Sequence, residues 1–144
     1  DKLGLFGKDT NDQILIMELL AWMHKNKVDY TNTFCFLMNE KFSDNEIYND
    51  ESFLIWKKKW EGRLKINNNS QEKYLKLMHS VNPIIIPRNH KVEEALTAAN
   101  NGDLKVMNKL LTVLEKPYEN QNSIIDYQSP VPSSDKAYQP FCGT

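Results

Sequence analysis

The sequence has 144 residues, of which 40% are hydrophobic and 26% are charged, a composition that fits one folded domain and argues against disorder along the whole chain. Its 18 basic and 19 acidic side chains give a net charge of −1, so the charge does not favour a nucleic acid or an anionic membrane surface as a partner. No apolar run approaches the roughly 20 residues of a membrane-spanning helix. The first residues contain neither a signal peptide nor an initiator methionine, which predicts a piece of a longer protein.

Hydrophobic periodicity predicts helices from the beginning of the chain. The first is expected over residues 12–25, where apolar side chains cover so wide an arc that burial on more than one side is expected. Thr31 is placed to cap a short second helix, and the spacing of Ser43 and Glu46 is that of a capping box. A third helix is expected from Asp50. Its predicted inward-facing side chains are Phe53, Leu54, Trp56, Trp60 and Leu64.

A fourth helix and an extended connector are predicted next. Ser70 is placed to cap the helix, which ends at Asn82 because a residue before proline is disfavoured in the helical region. The following residues, 84–86, are three isoleucines. Since no partner strand is evident, we expect an extended connector there rather than a strand.

Two further helices are predicted to form an α-hairpin. One spans residues 87–100 with Pro87 in its first turn, Gly102 provides a left-handed residue after it, and Asp103 caps the other. The side chains predicted to be buried are Val92, Ala95, Leu96, Ala99, Leu104, Met107, Leu110, Leu111 and Leu114.

The helical pattern stops at Pro117. Residues 117–144 contain four prolines and scattered aromatic side chains that can anchor an extended segment to a folded body. The sequence therefore predicts an all-α fold, a multi-helix array over residues 1–116, followed by an irregular tail containing Pro and Tyr over residues 117–144.

Residues with catalytic or metal-binding chemistry are few. Neither the three histidines nor the two cysteines have the spacing of a zinc site, and the five glycines form no phosphate-binding loop. We therefore predict no catalytic, cofactor-binding or metal-binding residue. The histidines and cysteines are His24, His79, His90, Cys35 and Cys142.

One short motif carries an unusual set of polar residues between the fourth and fifth helices. Arg88 is one of only two arginines, and its guanidinium, with the Asn89 amide, is suited to hydrogen-bond buried backbone groups at a chain reversal. We favour this structural role over the alternative, contact with a substrate. The motif consists of Asn82, Pro83, Pro87, Arg88, Asn89 and His90.

The two cysteines have different expected roles. Cys142 lies two residues before the end of the tail, where an exposed thiolate can form a reversible disulfide. Cys35 lies between two phenylalanines and is expected to be a small buried hydrophobe. Their low number is typical of a reducing compartment, so we expect a cytoplasmic protein.

Several of these segments, in this order, resemble the C-terminal part of the selenoprotein O (SelO, also called YdiU) family. The resemblance extends over essentially the whole chain. The segments that carry it are residues 2–5, 29–31, 56–64, 82–90, 92–95, 102–103, 117–118 and 141–144.

The resemblance implies a bacterial enzyme with a protein kinase-like fold that transfers AMP from ATP to protein hydroxyls with Mg²⁺ or Mn²⁺. The family's nucleotide and metal motifs lie upstream of the matching region, so no catalytic residue is carried over to this chain, and no cofactor is expected on it. The implied partners are the kinase-like domain of the same polypeptide and the protein substrates. Cys142 matches the position of the family's selenocysteine or cysteine, which implies redox control through a bond to a cysteine of the kinase-like part.

Two other functions remain open. An independent helical module can recognise another protein through an amphipathic groove, and would keep its partner after excision. A thiol-redox protein acting through Cys142 is the third interpretation.

Overall fold

The computed structural model describes residues 1–39, 46–66, 69–121 and 124–130, and over these residues the fold is all-α, as predicted. No strand occurs within those ranges, and no helix there is long and apolar enough to span a membrane. The predicted capping box at Ser43 and the redox candidate Cys142 lie outside them. The helices are α1 (Asp12–Asn26), α2 (Tyr30–Leu37), a 3₁₀ helix (Glu46–Asn49), α3 (Glu51–Lys65), α4 (Gln71–Val81), α5 (Asn89–Asn100), α6 (Lys105–Leu114) and α7 (Ile125–Gln128).

Local capping signals explain most of the helix boundaries. The side chain of Ser70 accepts from the Lys73 amide at the start of α4, so the predicted cap is confirmed. The helix expected from Asp50 begins at Glu51, and the Asp50 carboxylate caps it by accepting from the Phe53 amide at 3.0 Å. The prediction for α2 is wrong by two residues. Asp29, which has an extended backbone, accepts from the Asn32 amide at 2.9 Å and is the cap.

An aromatic cluster forms the centre of the core. Phe53 of α3 is fully buried, and its ring centroid lies 4.5 Å from that of Trp22 on α1 and 5.2 Å from that of Tyr48 on the 3₁₀ helix. Trp56 and Trp60 stack along the same side of α3 with centroids 6.1 Å apart. The core thus joins α1 to α3, which pack against each other.

The first residues of the chain are held against α3 and α4. The Trp60 indole N–H donates to the Leu3 carbonyl at 2.8 Å, and the Asn82 side-chain amide donates to the Lys2 carbonyl at 2.8 Å. The Lys2 ammonium in turn donates a hydrogen bond to Asn82 Oδ1 at 3.2 Å. Gly4 follows these contacts with φ +69°, and a β-carbon there would meet α4 side-chain atoms at 3.1 Å, so both the backbone conformation and the space favour glycine. We call residues 2–4 the N-terminal clamp.

The connector between α4 and α5 is extended, as predicted. α4 ends at Val81, with Asn82 extended before the proline. Ile84 and Ile85 are buried, and both of their amides donate to the Pro117 carbonyl, at 2.7 and 3.3 Å. α5 begins two residues later than predicted, at Asn89, because Arg88 keeps an extended backbone.

Several predicted core positions are exposed instead. α5 and α6 pack mainly on each other after the left-handed Gly102, so the outer sides of this hairpin face solvent. Periodicity identifies the apolar side of a helix but not whether that side is covered, and this explains the errors. The exposed positions are Leu54, Leu96, Leu104 and Leu111, with 42%, 49%, 59% and 51% of their surface accessible.

Candidate functional site

A buried polar cluster surrounds Arg88, at the junction of α2, α5 and α7. Its guanidinium donates two parallel hydrogen bonds to the Asp29 carboxylate, from Nη1 to Oδ2 at 2.5 Å and from Nη2 to Oδ1 at 2.9 Å. Arg88 is 8% exposed and the Asp29 side chain 19%, so the pair is largely but not fully shielded from water. Such a bidentate arrangement fixes the relative orientation of both side chains. It joins the cap of α2 to the start of α5.

The same guanidinium also fastens the short helix α7. Its Nη2 donates to the Gln128 carbonyl at 3.1 Å, and the Asn32 side-chain amide donates to that carbonyl as well, at 3.1 Å. The Gln128 side-chain amide donates from Nε2 to the Ile84 carbonyl at 3.2 Å. We call Asp29, Asn32, Arg88 and Gln128 the Arg88 node. The node fixes residues 124–128 to the body of the fold, although no helix was predicted in this part of the chain.

The electrostatics of the node keep Asp29 ionised. Burial favours the neutral carboxyl, but the hydrogen bonds from Arg88 and from the Asn32 amide, together with the Arg88 charge, outweigh it and lower the pKa of Asp29. A carboxylate with a lowered pKa and both oxygens engaged is a poor general base at neutral pH. The node is therefore suited to positioning rather than to proton transfer.

A shallow groove of about 350 Å³ borders the node. Its described lining includes Lys27, Asp29, Asn32, Tyr48 and Pro130. The Asp29 carboxylate is already paired with Arg88, and the Tyr48 hydroxyl lies 3.2 Å from the Thr33 hydroxyl. Asp29, Asn32 and Tyr48 are thus engaged within the protein.

The six residues of the predicted motif make separate sets of contacts. Arg88 belongs to the node, whereas Asn82, 1% exposed, donates its side-chain N–H to the Lys2 carbonyl of the N-terminal clamp. Asn89 is exposed at the first position of α5. His90 is partly buried, and burial, with the nearby Lys91 and Arg88 charges, lowers its pKa. Pro83 and Pro87 lie in the connector.

Sequence reasoning missed the partners of Arg88. A signal was available in the composition, since only two arginines accompany sixteen lysines and arginine is preferred for bidentate buried pairs. The other arginine behaves alike: Arg63 donates to both Asp12 oxygens, at 2.7 and 3.0 Å, and to the Phe6 carbonyl at 3.1 Å. The partner carboxylates lie 51 and 59 residues away, and no local pattern identifies them.

The remaining chemical candidates are dispersed. His24 and His79 lie in the last turns of α1 and α4, and Cys35 is fully buried with its thiol directed to the Ile84 carbonyl at 3.7 Å. Within the described ranges no three His, Cys, Asp or Glu side chains are grouped as metal ligands. We assign no step of nucleotide transfer to the described residues.

Comparison with known proteins gives one consistent result. The family model described as "Protein adenylyltransferase SelO" matches residues 1–115. A Pelagibacter ubique protein named "Protein nucleotidyltransferase YdiU" is 54% identical over 144 residues, which make up 100% of this chain and 30% of that protein. Proteins of the same name from Clostridium beijerinckii and Bacillus mycoides are each 45% identical over 99% of this chain, and over 29% and 30% of their own lengths. The chain thus spans about 30% of the length of these curated relatives.

Proposed function

The chain belongs to the SelO family, and from this premise we propose that it is the C-terminal helical segment of a protein adenylyltransferase. The whole protein would transfer AMP from ATP, with Mg²⁺ or Mn²⁺, to Ser, Thr or Tyr hydroxyls of other proteins in the bacterial cytoplasm. The observation that carries the proposal is the 54% identity to a protein nucleotidyltransferase of which this chain covers 30%.

The role of this segment within that protein is structural and regulatory. Its polar clusters, the Arg88 node and the Arg63–Asp12 pair, are each built on a bidentate ion pair, which suits them to holding helices in place. The kinase-like domain of the same polypeptide would supply the nucleotide site and the catalytic residues.

Transfer of label from ATP tests this function directly. The complete protein and the 144-residue chain are each incubated with a protein substrate and ATP labelled at the α-phosphate. We expect label on protein with the complete protein and none with the chain alone. ATP labelled at the γ-phosphate is the matched control, because it reports phosphoryl transfer and should give no signal. Label transferred by the isolated chain would contradict the proposal.

Cys142 is the regulatory element of the proposal. Under an oxidant such as oxidised glutathione, its thiol and a thiol of the kinase-like part would form a disulfide, with two protons and two electrons passing to glutathione, which is reduced to two thiols. We expect Cys142→Ser in the complete protein to remove the response of AMP transfer to this oxidant, while Cys35→Ser, at a buried position, retains it. An unchanged oxidant response in Cys142→Ser would refute the redox role.

A further inference from the structure

Helix α1 is apolar on two sides, and only one of them is covered. Its inner side buries Leu15, Leu19, Trp22 and Met23 in the core. Its outer side exposes Ile14, Ile16, Met17 and Leu20, with 57%, 44%, 61% and 44% of their surface accessible. We call these four residues the outer face of α1. The expected burial of α1 on more than one side is therefore not met within the described residues.

The outer face is too concentrated to be ordinary surface. Isolated exposed apolar side chains are common in soluble proteins, but four within seven positions of one helix form a patch. The patch continues towards α3, where Ile55 and Ile66 are 52% and 63% exposed.

Two grooves between α1 and α3 extend this surface. One of about 350 Å³ is lined by Ile14 and Ile66, and one of about 390 Å³ is lined by Ile55. The ion pair between Glu18 and Lys59, at 2.8 Å, lies between them and lines both. The remaining lining is mixed, with Asp9, Asn11, Asp12 and Arg63 in the first groove and Lys25 and Ser52 in the second. Apolar side chains bordered by polar ones are the form of a surface that packs against a protein partner.

We propose that the outer face of α1 is a docking surface. Its occupant is the part of the same polypeptide that lies outside these 144 residues. This inference rests on the proposed function, because it requires the chain to be one segment of a longer protein. Each of these curated relatives is more than three times as long as the stretch it shares with this chain. The rest of such a polypeptide is a covalently linked segment that can cover the outer face. A linked segment is present at an effective concentration on the order of millimolar, and it would outcompete a second copy at ordinary concentrations.

Methionine oxidation in the complete protein tests the proposal. Met17 lies on the outer face and is 61% exposed in this chain, whereas Met23, Met38 and Met78 are at most 5% exposed. Because oxidation follows accessibility, an uncovered Met17 should react with hydrogen peroxide roughly ten times faster than these three. We expect Met17 in the complete protein to react as slowly as the buried methionines. A Met17 that reacts about tenfold faster than them would overturn the proposal.

A pair of variants separates docking from a local defect. Met17→Gln introduces an amide of similar size on the outer face, and Lys58→Gln introduces the same amide at an exposed position of α3 that is not apolar. We expect Met17→Gln, but not Lys58→Gln, to lower the melting temperature of the complete protein and to leave that of the 144-residue chain unchanged. Equal effects of the two variants on the complete protein would contradict the docking surface.

The remaining outcomes are distinguishable. Protection of Met17 that appears only at concentrations where sedimentation shows a dimer would assign the face to a second copy and overturn the proposal. Neither oxidation nor melting requires catalysis, so a protein that protects Met17 but transfers no AMP would contradict the proposed function alone.

Discussion

Replacing Arg88 by alanine removes the centre of the Arg88 node, and we expect it to be among the most destabilising single changes in this chain. The side chain donates to Asp29, to Asn32 Oδ1 at 3.3 Å and to the Gln128 carbonyl at 3.1 Å. Alanine leaves the Asp29 carboxylate without its counter-charge and the Gln128 carbonyl with one donor fewer.

The magnitude follows from the burial of the pair. Removing one partner of a buried ion pair costs about 3–5 kcal/mol of unfolding free energy, since the other charge stays buried without compensation. The Asp29 side chain is 19% exposed and keeps the Asn32 amide as a donor, which places the cost near the lower end, at about 3 kcal/mol. For a chain of this length that corresponds to a fall in melting temperature of roughly 10 °C.

Urea unfolding of the wild-type chain and of matched variants measures the cost. Lys59→Ala is the control, because its 2.8 Å pair with Glu18 is exposed and should cost less than about 1 kcal/mol. Arg88→Lys keeps the charge but loses the bidentate geometry, and should fall between the two. Hydrogen exchange should accelerate at the amides of residues 127–128 and stay unchanged in α1. A cost for Arg88→Ala no larger than that for Lys59→Ala would refute the reasoning.

Three further predictions concern glycine, tryptophan and pH. Gly4→Ala should destabilise the chain by about 1–3 kcal/mol in thermal melts, because φ is +69° and neighbouring atoms lie 3.1 Å from the new β-carbon. Gly62→Ala is the control: it lies within α3 with open space around it, and should stabilise the chain by about 0.5–1 kcal/mol. Trp60→Phe keeps an aromatic ring but removes the 2.8 Å hydrogen bond to the Leu3 carbonyl, and should lower the free energy of unfolding in urea by about 1–2 kcal/mol. An unchanged free energy of unfolding would show that this hydrogen bond does not stabilise the chain. Three carboxyls have a lower pKa in the folded chain than in the unfolded chain, so as the pH falls the unfolded chain binds protons at a higher pH than the folded chain does. Stability should therefore be constant above about pH 5 and decline below about pH 4. Urea midpoints that do not change between pH 6 and pH 3 would contradict this. The carboxyls concerned are Asp12, Asp29 and Asp50, the last with a pKa of about 2.

Features of the fold that are set by a few consecutive residues were predictable from the sequence. The caps at Asp50 and Ser70 and the end of α4 before Pro83 each follow from the chemistry of a few consecutive residues. The left-handed Gly102 between α5 and α6 follows from the same kind of local rule.

Features that depend on distant residues were not predictable. Arg88 was recognised as unusual, but its partner Asp29 lies 59 residues away, and nothing in the spacing selects it from the other acidic residues. The exposure of Leu96 and Leu111 depends on what lies beside the α5–α6 hairpin, which its own periodicity does not encode. The tail was predicted to have no helix, and one turn forms there because Gln128 meets acceptors and donors from three other parts of the chain.

The N-terminal clamp has a consequence for how the chain is joined to anything placed ahead of it. The Lys2 and Leu3 carbonyls accept hydrogen bonds from the Asn82 and Trp60 side chains, so the backbone of these residues is fixed relative to the rest of the fold. A dye attached at position 1 would tumble at the rate of the whole molecule, and its fluorescence anisotropy would decay slowly. The double variant Asn82→Ala and Trp60→Phe would add a fast component to that decay, because the first residues would then move independently of the fold.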